Sequence, residues 1–266
     1  MTEAIPDGTT GTVPSTGTVL ITGAAHRIGA AIAHDLAAHG WAVALHYNTS
    51  KAEAAALAAE INDAGGRAAT VHADLAAEDQ AQTLVAKTEA ALAAPDCLIN
   101  NAAAFERDRA ESATRASWDL HMETNLRAPF VLMQDMAERL AAGRAGNIIN
   151  LVDERVWNLT PDFVSYTVSK TGLWTLTRTM ALALAPQIRV NAIGPGATLP
   201  SVRQSAEQFD RQQRTTPLGR GTTPAEICDA VRFILAAPAL TGQMIALDGG
   251  QHLGWVHPPP GAETEE

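Results

Sequence analysis

Thr18-Val19-Leu20-Ile21-Thr22-Gly23-Ala24-Ala25-His26-Arg27-Ile28-Gly29-Ala30-Ala31-Ile32-Ala33 changes character twice. A short apolar run ends at Thr22, a glycine-bearing turn follows, and an Ala/Ile segment without a breaker then begins. That order reads as a strand, a tight turn and a helix start.

The same alternation continues along the chain. Further short apolar runs lie at 42–46, 69–72, 97–100, 147–152, 188–193 and 244–247, separated by Ala/Leu/Glu-rich segments. Most are β-branched, which suits strands buried on both faces. Strands alternating with helices imply parallel βαβ units. The expected fold is therefore α/β: one domain built on a doubly wound, parallel, seven-stranded sheet with helices on both faces. Seven strands absorb nearly all of the 266 residues. Residues 1–16, rich in Thr, Gly and Pro, are expected to be a disordered leader, 17–255 the domain and 256–266 a flexible tail. The longest helical candidate runs from Asp162 to Ala185, where Pro186 stops it.

Composition narrows the function classes. The chain is 46% hydrophobic and 18% charged, with a mean hydropathy of -0.03, as a globular protein with a substantial core would be. Nineteen basic against 29 acidic residues, formally -10, argue against a nucleic-acid partner, which requires a basic face. No run of about 20 apolar residues is present, so no membrane span is expected. The N-terminus lacks the pattern of a signal peptide, and a cytoplasmic location is expected. Cys97 and Cys228 show no metal-ligand or disulfide spacing, and Cys97 lies within an apolar run.

The turn after the first strand suits a dinucleotide. A helix N-terminus favours a pyrophosphate, Gly23 lets the backbone turn tightly, and Gly29 permits close packing of helix on strand. Two glycines alone occur in many α/β turns; the position after the first strand strengthens the reading. Arg27 stands where such turns often carry Gly, and can pair with a phosphate or sit solvated on the turn. At the end of the second strand, an NAD site usually places an acid on the ribose 2′-hydroxyl. Here the residues are His46, Tyr47, Asn48, Thr49, Ser50 and Lys51. Their hydroxyl, amide and cationic groups suit a 2′-phosphate, so NADP(H) is the expected cofactor. His46 has a plainer reading as a strand-end histidine.

Tyr166 and Lys170 are four residues apart in the long helical candidate and share a face. A nearby ammonium favours phenolate, which makes a tyrosine usable as a proton shuttle. Such a pair is common by chance, but the chain has only two tyrosines.

Taken together, the 22–29 turn, Asp74-Leu75, Asn100-Asn101-Ala102, Asn125, Tyr166–Lys170 and Pro195-Gly196 resemble a short-chain dehydrogenase/reductase over residues 17 to 250. The resemblance implies a Rossmann sheet of strand order 3-2-1-4-5-6-7. It implies Tyr166 as general acid/base, Lys170 as its electrostatic partner and ribose anchor, and Asn125 as holder of a relay water. Gly23, Arg27, Ile28, Gly29, His46, Tyr47, Asn48 and Ser50 would bind the cofactor. So would Asp74 and Leu75 at adenine, Asn101 and Ala102 in the cleft, and Pro195, Gly196 and Thr198 at the nicotinamide. A homotetramer built on helices around 115–142 and 161–185 is implied as well.

One position departs from the ordinary family pattern. The catalytic serine expected 13 residues before the tyrosine is replaced by Asp153. With Arg27, His46-Tyr47 and Phe105, this is similar to the pteridine and dihydromonapterin reductases, in which an aromatic stacks on the pterin. A carboxylate beside a phenol raises the phenol's pKa, so Tyr166 would rest protonated as a donor. A pterin also presents N–H groups that suit an anionic acceptor, whereas a ketone prefers a hydroxyl donor. The expected substrate is therefore a small molecule of the pterin class, with Phe105, Asp153 and Tyr166 against it. Ala103 and Ala104 stand where the best-known pteridine reductases carry small hydroxyl residues. Two other readings stand beside this one: a carbonyl reductase of 3-oxoacyl, sugar or steroid-like substrates, in which Asp153 is a substituted serine, and a non-enzymatic NADP(H) sensor. No catalytic role is expected of His26, His121 or His252.

Overall fold

The computed structural model describes residues 16–201 and 203–254. The expected leader, Thr16 apart, and the expected tail lie outside the described residues. Seven parallel strands, β1 (Thr18–Ile21), β2 (Ala42–Tyr47), β3 (Arg67–His72), β4 (Cys97–Asn100), β5 (Gly146–Leu151), β6 (Ile188–Pro195) and β7 (Met244–Leu247), form one sheet. The order is β3-β2-β1-β4-β5-β6-β7, the order implied by the resemblance.

Each central strand sends alternate side chains to opposite faces, and both faces are covered. Val19, Ile21, Val43, Leu45, Ile99 and Ile149 pack against Ile32 and Leu36 of α1 (Arg27–Ala38), Leu57 and Ile61 of α2 (Lys51–Asp63) and Val231. Leu20, Ala44, Leu98, Ile148 and Val190 face the other way, toward Leu84, Leu132, Met133, Met136 and Met180. That second layer is built from α3 (Glu78–Ala81), α4 (Leu84–Ala91), α5 (Arg115–Met122), α6 (Ala128–Arg139) and α7 (Val164–Ala183). Helix α9 (Pro224–Ala236) packs on the first face through Ile227, Val231 and Ile234, and α8 (Ala206–Arg214) lies between β6 and α9 in the chain. Cys97 and Cys228 are buried free thiols. Among the described residues, no helix is long and apolar enough to cross a membrane.

Local chemistry sets the helix starts near the site. Thr114 and Ser117 form a capping box on α5, and Thr223 and Glu226 one on α9, where Pro224 occupies the first helical position. The long helix begins at Val164, two residues later than the sequence suggests. Phe163 takes a left-handed conformation (φ 60°), its amide donates to Asp108 O, and the buried Asp162 carboxylate accepts from Arg107 and Arg109 instead of continuing the helix.

Candidate active site

In an open parallel sheet, a crevice forms outside the carboxyl ends of the strands where the chain reverses its winding. Here that point lies between β1 and β4. Asn101, just past β4, laces the two strands together. Its Nδ2 donates to Thr22 O at 2.8 Å and Gly23 O at 3.1 Å, and its amide donates to Thr22 Oγ1 at 2.9 Å. Gly23 has a φ of +61°, and a Cβ there would lie 3.0 Å from Ala102 Cα. A Cβ on Gly29 would lie 2.3 Å from Gly23 O. Both glycines are therefore required by close backbone approach. Helix α1 has no side-chain cap and no acid in its first turn, which leaves its N-terminus suited to a phosphate.

His46 is buried, and both ring nitrogens are spent on backbone. Nδ1 accepts from Gly23 N at 3.0 Å, which puts the proton on Nε2, 3.1 Å from Ala73 O. Burial pushes its pKa down to about 4. The side chain is thus a neutral strap for the glycine turn. Neither ring nitrogen of His46, a residue expected among those at the cofactor, faces outward. The plainer reading of His46 holds, because the turn needs an acceptor for Gly23 N–H. Tyr47 is half-buried and tilted on His72, with ring centroids 5.2 Å apart. Asn48 is exposed and donates to Asp74 Oδ1 at 3.3 Å. Ser50 Oγ lies 2.9 Å from His26 Nε2, so a histidine given no catalytic role in the sequence stands beside the expected 2′-phosphate residues. Asp74 Oδ1 also accepts from Ala76 N at 3.0 Å, and Leu75 is buried.

Arg27 departs from expectation in posture. Its backbone is left-handed (φ 55°), and its guanidinium donates to Pro200 O at 2.8 Å and Leu199 O at 3.1 Å. It therefore ties the glycine turn to the segment after β6. That segment begins with Gly196, directly after Pro195 at the end of β6. Thr198 follows, buried, with its hydroxyl donating to Gly196 O at 3.0 Å.

The reactive groups converge between β5 and α7. Asp153 caps the 3-10 turn Glu154–Val156: its Oδ1 accepts from Arg155 N at 2.9 Å. Its Oδ2 accepts from Tyr166 OH at 2.8 Å and lies 3.6 Å from Arg155 Nη1. Burial, then the Asp153 charge, push the Tyr166 pKa well above 10. Lys170 Nζ donates to Leu151 O at 2.7 Å and lies 5.8 Å from the Tyr166 ring centroid. Burial lowers its pKa to about 8, against the Asp153 charge, which raises it. Tyr166 is therefore protonated at rest. The sequence argument had the direction and credited Asp153; burial is the larger cause.

Phe105 stands edge-on to Tyr166, ring centroids 4.7 Å apart at 73°, and stacks on the buried Phe163 at 4.5 Å and 4°. Asn125 is fully buried in a π-helical turn (Glu123–Arg127) joining α5 to α6. Its side chain accepts from Ala104 N at 2.8 Å and donates to Ala104 O at 2.9 Å and Ser169 Oγ at 3.1 Å. Both amide hydrogens are engaged, so its side chain braces the loop behind the reactive groups.

A cavity of about 480 Å³ brings together Arg27, Ile28, Asn101, Phe105, Asp153, Tyr166, Lys170, Pro195, Gly196 and Thr198. Gly23, Gly29, His46, Ala102 and Asn125 do not line it, nor do Tyr47, Asn48, Ser50, Asp74 and Leu75, which lie at or just beyond the ends of β2 and β3. A larger hollow of about 600 Å³, between Leu218, Phe233 and β7, is lined by none of Asp153, Tyr166 and Lys170. The sequence reading missed Glu154, Arg155, Arg203, Gln204, Phe209, Gln212 and Gln251, which also line the cavity. The Glu154-Arg155 pair directly after Asp153 was an available signal. Glu154 is buried, one oxygen accepts from Gln251 Nε2 at 3.0 Å, and burial followed by the Asp153 charge raises its pKa to about 8.

Comparison with known proteins agrees with this geometry. The family model described as enoyl-(acyl carrier protein) reductase matches residues 23–252. Pteridine reductase 1 of Leishmania tarentolae is 33% identical, over 91% of this chain and 98% of that protein. The 3-oxoacyl-(acyl-carrier-protein) reductase FabG of Staphylococcus epidermidis is 30% identical, over 88% and 98%. The solved structure of FolM alternative dihydrofolate reductase 1 from Brucella canis, complexed with NADP, superposes with a TM-score of 0.89. It is 46% identical and covers 94% of this chain and 99% of that one.

Proposed function

The chain belongs to the short-chain dehydrogenase/reductase family, and we propose that it is an NADPH-dependent reductase of pterin-class substrates, taking a dihydropterin to the tetrahydro level. The observation that carries this reading is the Tyr166–Asp153 hydrogen bond. The position that would supply a hydroxyl donor to a ketone supplies a carboxylate.

The residues present fit the cofactor. The tight glycine turn and the uncapped start of α1 form a phosphate cradle, with Gly23, Arg27, Ile28 and Gly29 around it. The β2 end carries no acid; Asn48 and Ser50 stand there, with His26 beside Ser50. Asp74 and Leu75 would flank adenine. Asn101, Ala102 and Lys170 would line the ribose, and Pro195, Gly196 and Thr198 the nicotinamide. When bound, the cofactor supplies a hydride to a ring carbon of the substrate.

The chain's own residues manage the proton. Tyr166, protonated at rest, donates its hydroxyl proton to the ring nitrogen adjacent to the reduced carbon. The Lys170 ammonium favours the phenolate left behind. Asp153 keeps lone pairs beyond its bonds to Tyr166 and Arg155 N, and these accept substrate N–H groups. Phe105, backed by Phe163, offers a rigid aromatic surface to the pterin ring.

NADPH consumption with 7,8-dihydropterin against a panel of ketones and a 3-oxoacyl thioester tests the reading. The match to FabG favours a carbonyl reductase as the second reading, and Asp153 counts against it. A homotetramer belongs to the same proposal. Trp118, Leu120, Val168 and Leu182 of α5 and α7 are exposed large apolar side chains, and an apolar hollow of about 430 Å³ lies between Leu126, Phe130 and Leu176. Sedimentation equilibrium measures that state directly.

A further inference from the structure

We propose that His121 is a positioning residue for the reaction: it sets where the stacking ring of Phe105 stands relative to the hydroxyl of Tyr166. The inference rests on the pterin-stacking reading above.

His121 is fully buried on α5. Its Nε2 accepts from Glu106 N at 3.0 Å. A backbone amide can only donate, so the imidazole proton is on Nδ1, which points at Ser165 Oγ 2.6 Å away. Ser165 Oγ then donates to Asp108 Oδ2, and Ser165 N donates to Asp108 Oδ1 at 3.2 Å. The direction of this chain is unique, from the Glu106 amide through the imidazole and the serine to the carboxylate.

The anchors are what make the network functional. Glu106 follows Phe105 and Ser165 precedes Tyr166 in the chain. His121 therefore holds the immediate neighbours of both rings. One helical turn on, Asn125 repeats the arrangement by clamping Ala104, on the other side of Phe105, to Ser169. Ser169 Oγ in turn donates to Tyr166 O at 2.7 Å. Two rungs, His121 between 106 and 165 and Asn125 between 104 and 169, thus fix Phe105 against Tyr166 from both sides. The upper rung also has a ring contact with its target, since the His121 and Tyr166 centroids are 5.9 Å apart at 75°. The cofactor cradle at Gly23 and Arg27 shares no hydrogen bond with this network among the described residues.

A double-mutant cycle tests the route. His121→Ala, Phe105→Ala and the double variant are assayed with NADPH and 7,8-dihydropterin, and NADPH affinity is titrated by fluorescence. Misplacing the ring is expected to lower kcat/KM roughly tenfold to a hundredfold, expressed as a raised dihydropterin KM, with NADPH affinity near wild type. Because His121 acts through Phe105, the double variant is expected to be no worse than Phe105→Ala. If His121→Ala does not fold, Ser165→Ala takes its place in the same cycle. Losses that multiply, a loss shared equally by NADPH binding, or wild-type kcat/KM in the rung variant would each overturn the inference while leaving the stacking reading intact. Wild-type kcat/KM in Phe105→Ala would instead refute the stacking reading, and with it the inference that depends on it.

Discussion

Replacing Asp153 by serine restores the residue type usual at this position and should convert the local chemistry. The substitution removes the acceptor of the 2.8 Å bond from Tyr166 OH and the carboxylate offered to substrate N–H groups. Hydrogen bonds to a charged group are worth about 1.5–3 kcal/mol, so kcat/KM for a dihydropterin should fall roughly tenfold to a hundredfold. The Asp153 charge and hydrogen bond both raise the Tyr166 pKa, so that pKa should drop, though burial, the larger cause, remains. The 3-10 turn should survive, since a serine oxygen can also accept from Arg155 N. Arg155 loses a carboxylate 3.6 Å away, and Asp153→Asn, which loses the same charge but keeps an acceptor, separates that effect from the loss of contact. The assay is steady-state NADPH oxidation across pH, with thermal melting as a control for folding. A variant that keeps wild-type dihydropterin kcat/KM, or wild type that ignores dihydropterins while Asp153→Ser gains ketone activity, would refute the assignment of Asp153. Family membership would survive either result.

Tyr166→Phe keeps the ring but removes the proton, and turnover should fall about 10²–10⁴-fold with NADPH still bound; unchanged single-turnover rates would remove Tyr166 from the mechanism. With no acid at the β2 end, NADPH should bind roughly tenfold or more tighter than NADH, the worth of one charge-assisted phosphate contact; equal affinities in fluorescence titrations would contradict this. Glu154 has a folded pKa of about 8, raised above its ordinary value of 4.5. Between those values folding takes up a proton, so its contribution to stability falls as pH rises, by up to roughly 1.4 kcal/mol per pH unit, and flattens above the folded pKa. Glu154→Gln should abolish that slope and raise stability at pH 8, because an amide offers a donor to Gln251 Oε1, which has no hydrogen-bond partner among the described residues; denaturant midpoints that keep the wild-type pH dependence would count against the assignment.

The strand positions of this fold were legible because their signal is local. Val19, Leu20 and Ile21 are buried whichever face they point to, so a continuous apolar run sufficed to place β1. Tyr166 and Lys170 were legible because a helical offset of four fixes their shared face. Four things were not. The true start of α7 depends on Phe163 taking a left-handed conformation and on Asp162 pairing with arginines more than fifty residues away. The role of His46 depends on Gly23 and Ala73 converging on its two nitrogens across the sheet, which no spacing reveals. Arg203, Gln204 and Phe209 reach the cavity from a segment with no strand or cofactor motif to anchor a reading. His121 is buried, and its partners Glu106 and Ser165 are joined to it only by the fold.

The central claim is that NADPH, with a carboxylate-assisted tyrosine as proton donor, reduces a pterin rather than a ketone. The most direct measurement is the initial rate of NADPH oxidation by the purified protein with 7,8-dihydropterin, set against a 3-oxoacyl thioester and simple ketones under the same conditions. The account predicts saturable turnover with the dihydropterin, formation of the tetrahydro product, and kcat/KM for ketones lower by roughly a hundredfold or more, since a ketone carbonyl meets an acceptor where it needs a donor. Efficient reduction of the ketone or thioester, with no turnover of the dihydropterin, would contradict it.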